Sequence, residues 1–398
     1  MSNALMSENE IKFRRRGTAS GRSAALPQPS PARSVPGRPS LLGESPEDLA
    51  RTIADLPAGN EPYRARQLFG WFHARRARDF AAMTNLPALL RESLGARFSV
   101  AALAPVEEHS SAETATRKFV LAAADGARIE TVRIQTPNRI TLCVSSQVGC
   151  GFGCRFCRTA EMGFVRQLSA AEIIDQVHTI AARAPLPERV NVVFMGMGEP
   201  LANYEAVVRA IDIMTHRDGL AMSPRRITVS TVGVVPAILR LARERPRIRL
   251  AVSLAATTDD VRSDLMPVNR RYSLDALARA VREHAERTGQ RATFEYVLLA
   301  GVNDSPEDAR RLARIANQVP SKVNLIPYNP TGLPGFARAS NESMESFARF
   351  LAPRVQAVTI RQSQGKDIFA ACGQLAQPIA RKPGRKRQPA AAAGAAGP

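Results

Sequence analysis

Residues 140–196 read ITLCVSSQVGCGFGCRFCRTAEMGFVRQLSAAEIIDQVHTIAARAPLPERVNVVFMG. An apolar, β-branched run (140–146) opens this stretch. A glycine-rich loop with three cysteines follows, then a serine-capped amphipathic run (169–184) and a second apolar run (190–196). Strand, helix, strand in that order is a βαβ unit, which predicts parallel pairing. The pattern then repeats. Strand-like runs recur at 226–232, 249–255, 293–299, 322–328 and 357–363. Helical runs lie between them at 203–216, 235–245, 273–288, 305–319 and 341–354, several opening on Ser, Asn or Ser-Pro. Seven such strands with helices between them fit an α/β fold of the partial or complete (β/α) barrel kind. No G-x-G-x-x-G opens a helix after the first strand, which weakens a dinucleotide-binding reading. In a barrel the chemistry sits at the C-terminal ends of the strands.

Upstream, residues 41–105 read as a small helical accessory domain. SPEDLARTIADL begins with an N-cap serine, a proline in the first turn and two acids at the positive helix end. RARQLFGWFHARRA sets Leu68, Phe69, Trp71 and Phe72 among arginines. Its aromatics belong in a small core, and Arg64, Arg66, Arg75, Arg76 and Arg78 are candidates to face RNA. Residues 106–139 read as a β-hairpin linker, RKFVLAAA and RIETVRI turning at Asp125-Gly126. The barrel is assigned to 140–375.

The chain has 398 residues and a formal net charge of +19. Residues 1–40 and 376–398 each carry a net +5, which leaves +9 for the part between. Both ends are poor in large apolar residues and read as disordered basic tails. The stretch 11–40 resembles a transit peptide in composition, but its prolines oppose the amphipathic helix that such a peptide needs. A solvated tail and an RNA-gripping arm both remain open. The charge points to a polyanionic partner, nucleic acid first. No run is long enough to span a membrane and no secretory signal is visible, so a cytoplasmic protein with no membrane partner is expected.

Five cysteines in this length are no disulfide scaffold. Three of them form Cys150-x3-Cys154-x2-Cys157 on the loop after the first strand. Thiolates suit iron, and three such ligands leave one iron of a [4Fe–4S] cluster open. A structural zinc site would want a fourth Cys or a His nearby, and the histidines are scattered. Cys143 and Cys372, taken alone, read as small buried apolar residues. Glu130, taken alone, reads as an edge-strand carboxylate.

The Cys150–Cys157 loop, with Phe156 before its last cysteine, resembles the radical S-adenosylmethionine (SAM) superfamily. So does Gly198-Glu199-Pro200 at the end of the second strand. TLCVSSQVGC, GFVRQLSAAEII, MGMGEPLANY, STVGVVP, LIPYNP and AACGQLA resemble more narrowly the RlmN/Cfr family of radical SAM RNA adenine methyltransferases, closest to its RlmN branch. The resemblance runs from about residue 45 to 376. It implies cluster ligation by Cys150, Cys154 and Cys157, with SAM contacts at Gly198, Glu199, Ser230, Ser253, Leu254, Ala255 and Asn329. It implies that Cys372 carries a methyl group taken from one SAM, that a second SAM yields the radical activating that group, and that Cys143 resolves the protein–RNA adduct through a disulfide. Glu130 becomes the proton acceptor. The implied product is C2-methyladenine in the peptidyl-transferase centre of 23S rRNA and beside the anticodon of tRNA. An electron donor such as flavodoxin is implied, and a monomer is expected. Ala255 departs from the family, which often has His or another polar residue there. A C8 methyltransferase of the Cfr kind would share the cysteines. A non-catalytic RNA-binding protein with a metal centre is the rival from another class.

Overall fold

The computed structural model describes residues 37–187 and 189–375, so the expected tails at 1–36 and 376–398 lie outside the described residues. Three helices come first: α1 (Pro46–Ile53), α2 (Arg64–His73) and α3 (Ala88–Arg97). Four strands follow: β1 (Leu103–Ser110), β2 (Thr116–Ala123), β3 (Arg128–Thr136) and β4 (Arg139–Cys143). Next come β5 (Gln147–Gly149), α4 (Arg158–Glu161), β6 (Phe164–Gln167), α5 (Ala170–Arg183), β7 (Val190–Phe194), α6 (Tyr204–Thr215), β8 (Ile227–Thr231) and α7 (Val235–Glu244). The last part is β9 (Arg249–Ser253), α8 (Asp259–Leu265), α9 (Leu274–Thr288), β10 (Ala292–Leu298), α10 (Pro306–Asn317), β11 (Ser321–Pro327), α11 (Asn341–Leu351) and β12 (Val358–Ile360).

Local chemistry explains the helix starts. Ser45, Ser169 and Ser305 each accept a bond from the backbone N–H three residues on. The Asp48, Glu172 and Asp308 carboxylates in turn accept from the backbone N–H of the cap residue, which satisfies two orphan donors at each start. All seven expected barrel strands are present and pair in parallel in the order β4-β7-β8-β9-β10-β11-β12, each beside its predecessor. The sheet is open, a partial barrel, because β1–β3 extend the β4 edge antiparallel. The hairpin at 117–135 is therefore continuous with the barrel sheet, and β1, which sequence reading did not mark, begins inside the segment assigned to the helical domain. The small β5–β6 sheet and α8 were likewise unmarked; both are too short to show a period.

Helix α2 docks on α5 through aromatic and imidazole side chains. Phe69 packs on His73 and His216, at ring-centroid distances of 4.4 and 4.8 Å. His73 Nδ1 lies 3.3 Å from His178 Nε2. Arg78 is paired with the buried Asp175, whose other oxygen accepts from the backbone N–H groups of Ala102 and Leu103 at 2.8 Å. Arg78 is thereby committed to the fold, whereas Arg66, Arg75 and Arg76 stay exposed.

Burial holds His178 neutral down to about 3 and His284 down to about 4, and it pushes His73 below its usual value. Between the ordinary value of 6.5 and those folded values, the unfolded chain takes up protons that the fold excludes. Stability is complete above about pH 6.5 and falls below it, by about 1.4 kcal/mol per pH unit for each such histidine. Urea midpoints measured from about pH 7.5 to 5.5 check this, with His178→Gln expected to flatten the slope.

Candidate active site

The cysteine loop is clamped at several points. Cys150 N–H donates to Gly163 O at 2.9 Å, Arg155 N–H to Leu265 O at 3.0 Å, and Arg158 N–H to Gly373 O at 2.8 Å. Cys150 and Cys154 are buried and Cys157 is half-buried. Burial pushes the Cys150 thiol up to about 11 and raises those of Cys154 and Cys157; neighbouring cysteines of the loop add to the rise at Cys150 and Cys154, and Cys372 adds to it at Cys157. Thiols so placed ionise only if a cation draws the proton off. Among the described residues no three His, Cys, Asp or Glu side chains converge on one ion. A [4Fe–4S] cluster does not require that, because each thiolate binds a different iron. The donor set, three soft ligands with no carboxylate or imidazole among them, fits such a cluster.

The second element is the end of β7. Gly198 has φ +97°, and a Cβ there would lie 2.5 Å from Gln147 Cβ. Glu199 is buried. Its carboxylate accepts from Leu201 N–H at 3.0 Å and from Val232 N–H at 2.8 Å, which ties β7 to the end of β8. Burial pushes Glu199 up to about 7 against these bonds. Arg262, fully buried on α8, extends the same tie. It donates to the carbonyls of Val232 (2.7 Å), Ser253 (3.1 Å) and Leu254 (2.9 Å) and to Asn269 Oδ1 (2.8 Å). The ends of β8 and β9, with Ser230 and Ser253-Leu254-Ala255, are held in one place. Ala255 takes a left-handed φ of +57°, and its carbonyl accepts from Asn303 Nδ2 at 2.6 Å. What it presents is therefore set by backbone.

The third element joins the two ends of the barrel. Cys143 ends β4, while Cys372 lies on the segment after β12. The two share a small cavity of about 30 Å³ with Met195, Asn329 and Arg361. Both thiols are free. Burial, then the nearby Cys372, pushes Cys143 up to about 12. Arg361 reaches across the mouth to within 3.4 Å of Met195 Sδ and 3.8 Å of Glu295. The Cys372 thiol, with Glu295 and Cys143, raises the Arg361 pKa above the usual arginine range. Asn329 Nδ2 donates to Cys372 O at 3.3 Å, while its Oδ1 is buried with no partner. Glu130 lies on β3 and does not line this cavity. One of its oxygens is 3.3 Å from Lys118 Nζ and the other is buried without a partner. Burial raises its pKa, and Lys118 partly offsets this. The unpaired oxygens of Asn329 and Glu130 are acceptors waiting for donors.

Residues 144–313 match the Radical SAM superfamily, and residues 40–100 match the Ribosomal RNA large subunit methyltransferase N-terminal domain. The dual-specificity RNA methyltransferase RlmN of Anaeromyxobacter dehalogenans is 46% identical over 363 residues, 89% of this chain and 96% of that protein. The protein of the same name from Geobacter sulfurreducens is 46% identical over 84% of this chain and 91% of its own length. The chain belongs to the RlmN family of radical SAM RNA methyltransferases. A crystal structure of a radical SAM methyltransferase from Sphaerobacter thermophilus superposes on it with a TM-score of 0.81. It is 46% identical and covers 85% of this chain and 99% of that one.

Within the RlmN fold, sequence reading missed Arg262, Arg361, Lys118 and Gln147, which orders Glu199 N–H at 2.8 Å. A lone Arg in an arginine-rich chain carries no signal. Arg361 alone had a cue, since it falls at the C-terminal end of an expected strand. Gly198→Ala is expected to destabilise the protein by about 2–5 kcal/mol, the combined cost of a strained φ and overpacking. Urea denaturation checks this; a change under about 0.5 kcal/mol contradicts the close approach.

Proposed function

We propose that this RlmN-family chain methylates C2 of adenine in RNA, through a methyl group carried on Cys372. The substrates are an adenine of the 23S rRNA peptidyl-transferase centre and the adenine 3′ of the anticodon in tRNA. The observation that carries the reading is the cavity in which two free cysteines from opposite ends of the barrel meet beside Arg361. One thiol would have sufficed to accept a methyl group. A second beside it suits a resolving role, because the adduct leaves only when the first sulfur gains a new partner.

Cys150, Cys154 and Cys157 would hold a [4Fe–4S] cluster, and Gly198, Glu199, Ser230, Ser253, Leu254, Ala255 and Asn329 would hold SAM. Bound there, the pair supplies a one-electron reduction and a primary carbon radical. The other roles fall to the chain. Arg361 lines the same cavity as the methyl-accepting cysteine and places a positive charge beside it. Glu130, with one oxygen free, takes the proton lost from the ring carbon, and the unpaired electron left on the ring would return to the oxidised cluster. Cys143 then attacks the Cys372 sulfur and loses its proton; a disulfide forms as the carbon–sulfur bond of the adduct breaks, and the electron pair of that bond stays on the methylene carbon, which takes up a proton to become the new methyl group. The two cysteines lie in a small cavity of the protein, so the adenine must be splayed out of its stack to reach them. Residues 41–105 form the accessory RNA-binding domain, 106–139 the link and 140–375 the catalytic barrel, acting as a monomer with an external donor such as flavodoxin.

Anaerobic reconstitution with iron and sulfide, followed by dithionite, SAM and rRNA fragments, tests this. Expected are 5′-deoxyadenosine and C2-methyladenosine by mass spectrometry. C8-methyladenosine contradicts the regiochemistry, and absence of 5′-deoxyadenosine sinks the enzymatic mechanism. Cys143→Ala is expected to trap RNA covalently on Cys372; recovery of free RNA beside methylated Cys372 removes the resolving role. Glu130→Gln is expected to keep S-methylation of Cys372 while slowing formation of methylated RNA by at least about tenfold.

A further inference from the structure

The segment that carries Cys372 is anchored at both ends. Before the cysteine, Gly365 N–H donates to Thr114 Oγ1 at 3.2 Å, and Asp367 accepts from the Ser111 hydroxyl at 2.7 Å and from Ala112 N–H at 2.8 Å. After it, Gly373 O accepts from Arg158 N–H at 2.8 Å, and Gln374 Nε2 donates to Pro330 O at 2.8 Å. Between these anchors Ala370 and Ala371 are buried, yet Phe369 is 60% exposed. Its φ is +51°, a left-handed conformation that a bulky residue rarely adopts. A singly exposed apolar side chain is ordinary. An aromatic held outward in a disfavoured backbone, on a segment tied down at both ends and three residues from the methyl-accepting cysteine, is not explained by packing. Lys366, also exposed, is on the same turn.

We propose that Phe369 is a stacking platform for an unpaired RNA base, the nucleotide flanking the target adenine. This inference rests on the RNA-methylation reading above. Three residues of chain span at most about 10 Å, so RNA whose adenine reaches Cys372 passes beside the ring. The cavity at Cys372 is not lined by Phe369. The ring therefore meets a neighbour of the target rather than the target itself. Every base offers a π-face, so the contact tolerates different sequences. Lys366 is placed to meet a phosphate of the same strand. Because the turn is already fixed, the ring loses little freedom on stacking.

The test uses the reconstituted full-length enzyme and an anticodon stem-loop RNA with 2-aminopurine beside the target adenine. Phe369→Gly removes the ring and also relieves the positive φ, so the variant folds at least as well as the parent. Its KM for RNA is expected to rise about tenfold with kcat little changed, and 2-aminopurine quenching seen with the parent is expected to be lost. Phe369→Trp is expected to restore both. A KM within twofold of the parent, or equal quenching in both proteins, overturns the platform. If the parent methylates the unlabelled stem-loop and ribosomal fragments not at all, the functional reading itself fails; if it methylates them and Phe369→Gly behaves identically, only this proposal does.

Discussion

A guanidinium in the dry interior is the constraint around which the barrel mouth is arranged. Arg262 has been taken fully out of water, and its bonding partners are backbone carbonyls and an amide oxygen. Burying a charge costs several kcal/mol unless its donors are met, so the strand ends that meet them are not free to drift. Burial lowers its pKa to about 10, and it stays charged at neutral pH. The carbonyls of Val232, Ser253 and Leu254 belong to the turns after β8 and β9, so one side chain fixes both. Glu199 does the same between β7 and β8 by accepting from two backbone N–H groups. Two buried polar side chains, one a donor and one an acceptor, thus hold three successive strand ends in register where the sheet stops.

This explains why the mouth combines glycine and left-handed alanine with such firm hydrogen bonding. Gly198 permits an approach that any Cβ would block, and Asn303 holds Ala255 in its strained conformation. Strain of this sort persists only where surrounding bonds over-determine it. At Ala255 it is the backbone that the fold fixes.

Much of this was legible in the residues. The alternation of apolar runs with capped amphipathic ones is strong over 140–363, and every expected barrel strand is there. The three loop cysteines stood out because their types and spacing are rare together. The meeting of Cys143 and Cys372 had no such signal: 229 positions separate them, as their numbers show. Only the segment after β12, folding back over the end of β4, brings those positions together, and spacing alone does not encode that. Glu130 is similar, a carboxylate in an ordinary hairpin until Lys118 and burial define it. The unmarked elements, β1, β5, α4, β6 and α8, are short or weakly patterned; the last of them carries Arg262.

The bond from Thr159 to the Leu375 carbonyl joins positions 216 apart, and that from Arg158 to Gly373 lies beside it. The loop of cysteines is thus buttressed by the last of the described residues. On the ribosome, the barrel strands leave the exit tunnel before the segment that carries Cys372. A nascent or prematurely ended chain holds most of the core but neither Cys372 nor the buttress of the cysteine loop. The clamp on the cysteine loop therefore closes only after residue 375 has been made, late in the order in which the chain is synthesised.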